Sequence, residues 1–74
     1  MFTTPRDAGI ILRGLREDAG VTGAQLAEKA GVSRRWLVNL EAGKPSVDMS
    51  KVMDCFVALG FAFDLVALPP GWND

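Results

Sequence analysis

The segment Val21–Lys44, VTGAQLAEKAGVSRRWLVNLEAGK, leaves the chain few folds, because it sets two helix starts around one helix stop. Thr22 is a strong N-cap residue, and Gln25 stands three positions on, where its amide can return to the cap's backbone N–H. Gly31 supplies the permissive backbone that a sharp exit from a helix requires. Ser33 then caps a second helix whose first turn holds Arg34 and Arg35. The spacing predicts one helix over about Gly23–Ala30 and another over Arg34–Ala42, joined by a tight turn.

Two short helices so joined have the helix-turn-helix layout, in which the second helix lies in a DNA major groove and reads base edges near its N-terminus. A cation in a helix's first turn opposes the helix dipole at a cost of a few tenths of a kcal/mol. Arg34 and Arg35 make that choice twice, which points to a ligand with negative charge or acceptor atoms. Arginine on guanine O6 and N7 is the commonest specific base contact, worth about 1–3 kcal/mol of discrimination. A solvated basic turn is the plainer alternative. Leu37 and Leu40 mark the buried face, so Val38 projects outward, where it can touch a thymine methyl. Asn39 can pair with adenine or reach a phosphate, and Lys44 is either a phosphate contact or a solvated lysine.

The flanking segments extend a helical pattern. Thr4-Pro5-Arg6-Asp7 is a helix start, with Ala8, Ile11, Leu12, Leu15 and Ala19 on one face and Gly20 as the stop. Gly43-Lys44-Pro45 breaks the chain after the third helix. A fourth helix is predicted from Val47 or Asp48 to Leu59, with Met49, Val52, Met53, Phe56 and Leu59 on one stripe. Phe61–Leu68 changes period: Phe61, Phe63 and Leu65 alternate with Ala62 and Asp64, as in a strand. A lone strand leaves its backbone groups unsatisfied, so pairing with the same strand of a second copy is expected. The alternatives are that this segment continues the fourth helix or packs over the core. Residues 69–74 read as a loose tail. The fold expected is all-α, four helices, with a short C-terminal strand sealing a homodimer.

Length and charge narrow the function. Seventy-four residues suit a single domain near the lower limit for folding alone. One cysteine and no histidine offer neither an internal disulfide nor a structural zinc site, so dimerisation is the remaining remedy and no metal or cofactor is expected. Met1–Ile10 lacks the pattern of a secretory signal and no apolar run reaches spanning length, so a cytoplasmic protein away from membranes is expected. The net charge of −1 is unusual for a nucleic-acid binder. Its distribution answers part of that objection: residues 1–46 carry seven Lys/Arg against five acids, and residues 47–74 carry Lys51 against four Asp. Modest non-specific DNA affinity follows. Without a histidine, a glycine-rich phosphate loop or a placed acid pair, no catalytic role is expected.

The motif resembles the Xre/Cro-repressor family, whose pattern is matched by Thr22, Leu26, Ala27, Gly31, Val32, Ser33, Leu37, Glu41, Gly43 and Pro45. The run GVSRRWL…LEAGKP, followed by a long apolar helix and a strand-like tail, is similar to HipB-like antitoxins, and the likeness covers residues 5 to 68. The resemblance implies a lambda-repressor-like bundle, with base-reading positions on Arg34, Arg35, Val38 and Asn39. It also implies a buried ion pair between Arg16 and Glu41, and a HipA-like kinase toxin as partner. Gly23 departs from the family, which often has a glutamine there. Its backbone N–H can still meet a phosphate, while Gln25 either takes over part of the side-chain role or only caps. Trp36 either packs beside the fourth helix or the arginines, or stacks on the sugar-phosphate edge or a toxin. Cys55 has no nearby cation to lower its pKa and is expected to be inert.

The DNA-binding set is thus Thr22, Gly23, Gln25, Ser33, Arg34, Arg35, Val38, Asn39 and Lys44, and the dimerisation set is Phe56, Phe61, Phe63 and Leu65. The function expected is a repressor that binds an inverted-repeat operator as a dimer and acts as antitoxin to a HipA-like kinase. A free-standing Xre regulator and a protein-interaction module with little DNA binding are the alternatives.

Overall fold

A computed structural model describes residues 4–44 and 48–72. Four helices follow in chain order: α1 (Pro5–Asp18), α2 (Gly23–Ala30), α3 (Arg34–Glu41) and α4 (Met49–Ala58). Each begins where a side chain takes up backbone N–H groups that the helix leaves orphaned. Thr4 Oγ1 accepts the Asp7 N–H at 3.1 Å, with Pro5 in the first turn. Asp48 Oδ1 accepts the Ser50 N–H at 2.9 Å at the head of α4. Val47, the other candidate start of α4, and the Pro45 break lie outside the described residues.

α1 packs on α3 and α2 packs on both α3 and α4, around a core of Leu12, Leu26, Leu37 and Cys55 that is closed to solvent. Ala8, Ala27, Leu40, Val52 and Phe56 complete the buried set. Gly9 permits the closest approach: a Cβ there would collide with the carbonyl oxygen of Leu40. α1 and α3 therefore cross backbone on backbone at this point.

Four expectations are corrected. α3 ends at Glu41, with Ala42 as its cap, and α4 is shorter by a residue at each end than the narrower expected span, Asp48 to Leu59, both of which serve as its caps. On α4 the stripe is rotated, since Met49 and Met53 are exposed and Cys55 is wholly buried. α4 is covered mainly by α2 and little by α1, which turns its inward face toward Cys55 and leaves the methionine side open. Ala19 likewise lies past the last turn of α1 and is exposed.

The tail also differs. Among the described residues Phe61–Leu68 forms no strand, because nothing in one chain lies alongside to complete a ladder. The chain leaves α4 at Gly60 (φ +91°), and the Phe61 N–H closes on the Phe56 carbonyl at 2.9 Å. Phe63 then folds over the core with its ring edge-on to Phe56, centroids 5.2 Å apart. Ile11 and Leu15 of α1 face Phe61, Phe63 and Val66 across an open apolar groove. Of the dimerisation set, Phe56 belongs to the core of the single chain, and Leu65 is 98% exposed.

Candidate nucleic-acid interface

α2 and α3 are set by three local devices. At the start of α2 the Thr22 hydroxyl accepts the Gln25 N–H at 3.1 Å, while the Gln25 carboxamide oxygen accepts the Thr22 N–H at 2.9 Å. The box is reciprocal, so the Gln25 oxygen is committed to the cap and only its NH2 group remains for an outside acceptor. At the end of α2, Gly31 takes φ +73° and lets the Val32 N–H reach back to the Ala27 carbonyl at 3.0 Å. Ser33 Oγ then accepts the Trp36 N–H at 3.0 Å and opens α3. Both capping hydroxyls act as acceptors in these bonds, and each keeps a hydrogen to donate outward.

Packing decides which side of α3 faces outward. Leu37 and Leu40 point into the core, and Arg34, Arg35, Val38 and Asn39 are all exposed. The two guanidinium groups thus stand on the first turn, with a 56% exposed valine and an amide one turn further on. Lys44, also exposed, follows Gly43, and its N–H is held by the Asn39 carbonyl at 3.0 Å. Gly23 is half-buried, and a Cβ there would meet nothing within 4 Å.

Trp36 is half-buried against the core, and the Lys51 Nζ of α4 lies 5.7 Å from its ring centroid. This cation–π contact ties the base of α3 to α4. Neither partner announces the other in sequence, because the two stand far apart along the chain.

An ion pair fixes the angle of α3. Arg16 Nε and Nη2 donate to the two carboxylate oxygens of Glu41, both at 2.9 Å, and Nη1 donates to the Val21 carbonyl at 2.9 Å. One guanidinium thereby joins the end of α1, the α1–α2 turn and the end of α3. Its pKa is raised, first by the hydrogen bonds it donates to Glu41, against the opposing effect of burial. By contrast, Arg13 and Glu17 pair at 3.2 Å in the open, where such a pair contributes little.

Among the described residues no group of acidic, cysteine or histidine side chains could hold a metal ion, and no helix is long and apolar enough to cross a membrane. What the surface offers is a short exposed helix with cations at its head, flanked by capped backbone N–H groups. That is the surface of a helix-turn-helix protein. A family model for the helix-turn-helix domain matches residues 7–68, and the chain belongs to the Xre-like helix-turn-helix family. It is also 39% identical over 64 residues to an uncharacterised HTH-type transcriptional regulator, y4mF, of Sinorhizobium fredii (strain NBRC 101917 / NGR234), with 86% of this chain and 84% of that protein covered.

Proposed function

We propose that this chain is a sequence-specific DNA-binding transcriptional regulator, a repressor that binds an inverted-repeat operator as a homodimer. The observation that carries this reading is the outward face of α3, where Arg34 and Arg35 occupy the first turn and Val38 and Asn39 the next. In the major groove the guanidinium groups pair with guanine O6 and N7, Val38 packs on a thymine methyl, and Asn39 takes adenine or a phosphate. The hydroxyls of Thr22 and Ser33, the Gln25 amide, the Gly23 N–H and Lys44 hold the flanking backbone, which sets register without reading sequence. The name of the Sinorhizobium relative, a transcriptional regulator, supports the same reading.

The dimer rests on the tail. Phe61, Leu65, Val66 and Leu68 are exposed in the single chain, an apolar surface that a second copy placed antiparallel would cover while completing both strand edges. A two-fold dimer sets its recognition helices about 34 Å apart, one turn of B-DNA. The resemblance of GVSRRWL…LEAGKP to HipB-like antitoxins adds a HipA-like kinase as partner.

Duplexes selected from a random pool by the wild-type chain, and point variants of them, test the DNA role. Arg34→Ala or Arg35→Ala should relax preference at one half-site position by about 1–3 kcal/mol with the fold intact. Wild-type selectivity in both variants would overturn base reading by these arginines. A kinase-fold protein co-purifying from the native host, encoded beside this gene, supports the antitoxin role. Absence of both leaves a free-standing regulator.

A further inference from the structure

The turn after α3 carries a contact that the base-reading face does not explain. Gly43 leaves α3 with φ +81°, and a Cβ placed on it would stand 3.0 Å from the Arg6 Cγ. The aliphatic stem of Arg6 therefore lies on the backbone of that turn. Arg6 is in the first turn of α1, exposed, and opposes the α1 dipole much as Arg34 and Arg35 oppose that of α3. Among the described residues the ion pairs are Arg13–Glu17 and Arg16–Glu41, so no carboxylate there compensates Arg6. Lys44 is the next residue after Gly43 and is exposed in its turn. Arg6, from α1, and Lys44, from the turn itself, are thus two exposed cations borne beside the C-terminal rim of α3.

We infer that Arg6 and Lys44 form a two-cation clamp on the DNA phosphate backbone at this rim, with Gly43 leaving the room that lets the Arg6 stem lie there. The inference rests on the DNA-binding reading of α3 and adds to it a residue from α1. The opposite rim, at the head of α2, has Gly23 where a longer polar side chain would reach out, and it offers backbone N–H groups and neutral donors. Ionic attraction to the backbone therefore falls on the Arg6–Lys44 side. A phosphate contact of this kind adds affinity for any sequence and steepens the salt dependence, leaving base preference unchanged.

The test measures dissociation constants over a salt series for a duplex selected by the wild-type chain and for a scrambled duplex of the same composition. Arg6→Ala should weaken both several-fold and by the same factor, and should lower the slope of log K against log salt by about 0.9 for each Arg6 removed. Its Tm should not fall, since a dipole-opposing charge has been removed. Arg6→Lys should restore the slope. If Arg6→Ala keeps the wild-type slope while Lys44→Ala flattens it and Arg34→Ala loses base preference, the clamp is overturned and the DNA reading stands. If Arg6→Ala loses binding together with Tm and Arg6→Lys restores neither, Arg6 is structural and the clamp is equally overturned. Wild-type protein that binds neither duplex removes the DNA reading and the clamp with it.

Discussion

Gly9 and Gly14 stand five residues apart on α1, and the same substitution should move them in opposite directions. Alanine in place of a helical glycine gains about 0.5–1 kcal/mol from backbone entropy. At Gly14 nothing lies within 4 Å of the new Cβ, so Gly14→Ala should raise Tm by that contribution. At Gly9 the Cβ meets the Leu40 carbonyl oxygen, which is backbone and cannot rotate away. Overpacking costs about 1–3 kcal/mol or more, so Gly9→Ala should lower Tm as α1 is pushed off α3. Two thermal melts decide it, and a Gly9→Ala protein at least as stable as wild type would mean that the crossing is looser than described. Glu41 is the second residue on which the fold turns. Side chains of the pair are only 15% and 10% exposed, so Glu41→Ala leaves a nearly buried guanidinium with the Val21 carbonyl alone. The expected loss is about 3–5 kcal/mol, a large part of the stability of so small a protein. Glu41→Gln, which keeps an acceptor, should lose less. A Tm within a few degrees of wild type for Glu41→Ala would show that the pair is solvated.

At the scale of the element, the caps explain why α1, α2 and α3 begin where they do. Thr4, Thr22 and Ser33 each accept an N–H three residues on, and a pattern confined to four residues can be read without knowing the fold. The inward face of α4 could not be read so simply. Its apolar residues go nearly all round, and the neighbour that covers it selects Val52, Cys55 and Phe56 while leaving Met49 and Met53 in solvent. Burial pushes the Cys55 thiol up to about 11, with the carboxylates of Asp54 and Glu41 adding to the effect. The unfolded thiol loses its proton near 9 and the folded one keeps it to about 11, so the folded state binds more protons between these values. Stability should therefore be unaffected by this group below pH 9 and fall as pH rises toward 11, by at most about 3 kcal/mol. Urea midpoints at pH 8 and 10.5 should converge between wild type and Cys55→Ala, because only the wild type carries this contribution. Equal pH slopes in the two proteins would place the thiol in contact with water.

The whole molecule is where one chain is incomplete. Its core is small, and the apolar side chains of the tail lie mostly in solvent while Phe63 reaches back to Phe56. At about 25 cal/mol per Å², burying several such side chains in each copy contributes several kcal/mol to association. Removing residues 61–74, or replacing Phe63 with Pro, should yield a less stable monomer with weakened binding to a duplex carrying two half-sites. Sedimentation that finds a stable dimer, competent for DNA, after the deletion would move the interface to the exposed methionine side of α4. Charge acts at this scale too. The surplus of cations in residues 1–46 falls on α3 and the turn after it, since the three arginines of α1 are matched there by Asp7, Glu17 and Asp18, and the net charge of −1 conceals it.

The sequence by itself determined the helix starts, the left-handed turn at Gly31, the outward pair Arg34 and Arg35, and the membership of the helix-turn-helix family. Each of these depends on residues within a few positions of one another, where capping geometry and helical period leave little choice. Only the tertiary structure decided that Gly9 must be glycine while Gly14 need not, that Cys55 and not Met53 fills the core, and that Arg6 lies on Gly43. It also decided that Phe61–Leu68, with nothing alongside to pair with, folds back on Phe56 in the single chain. Such choices depend on which surface another element covers, and that follows from the packing of distant segments, which local spacing does not encode.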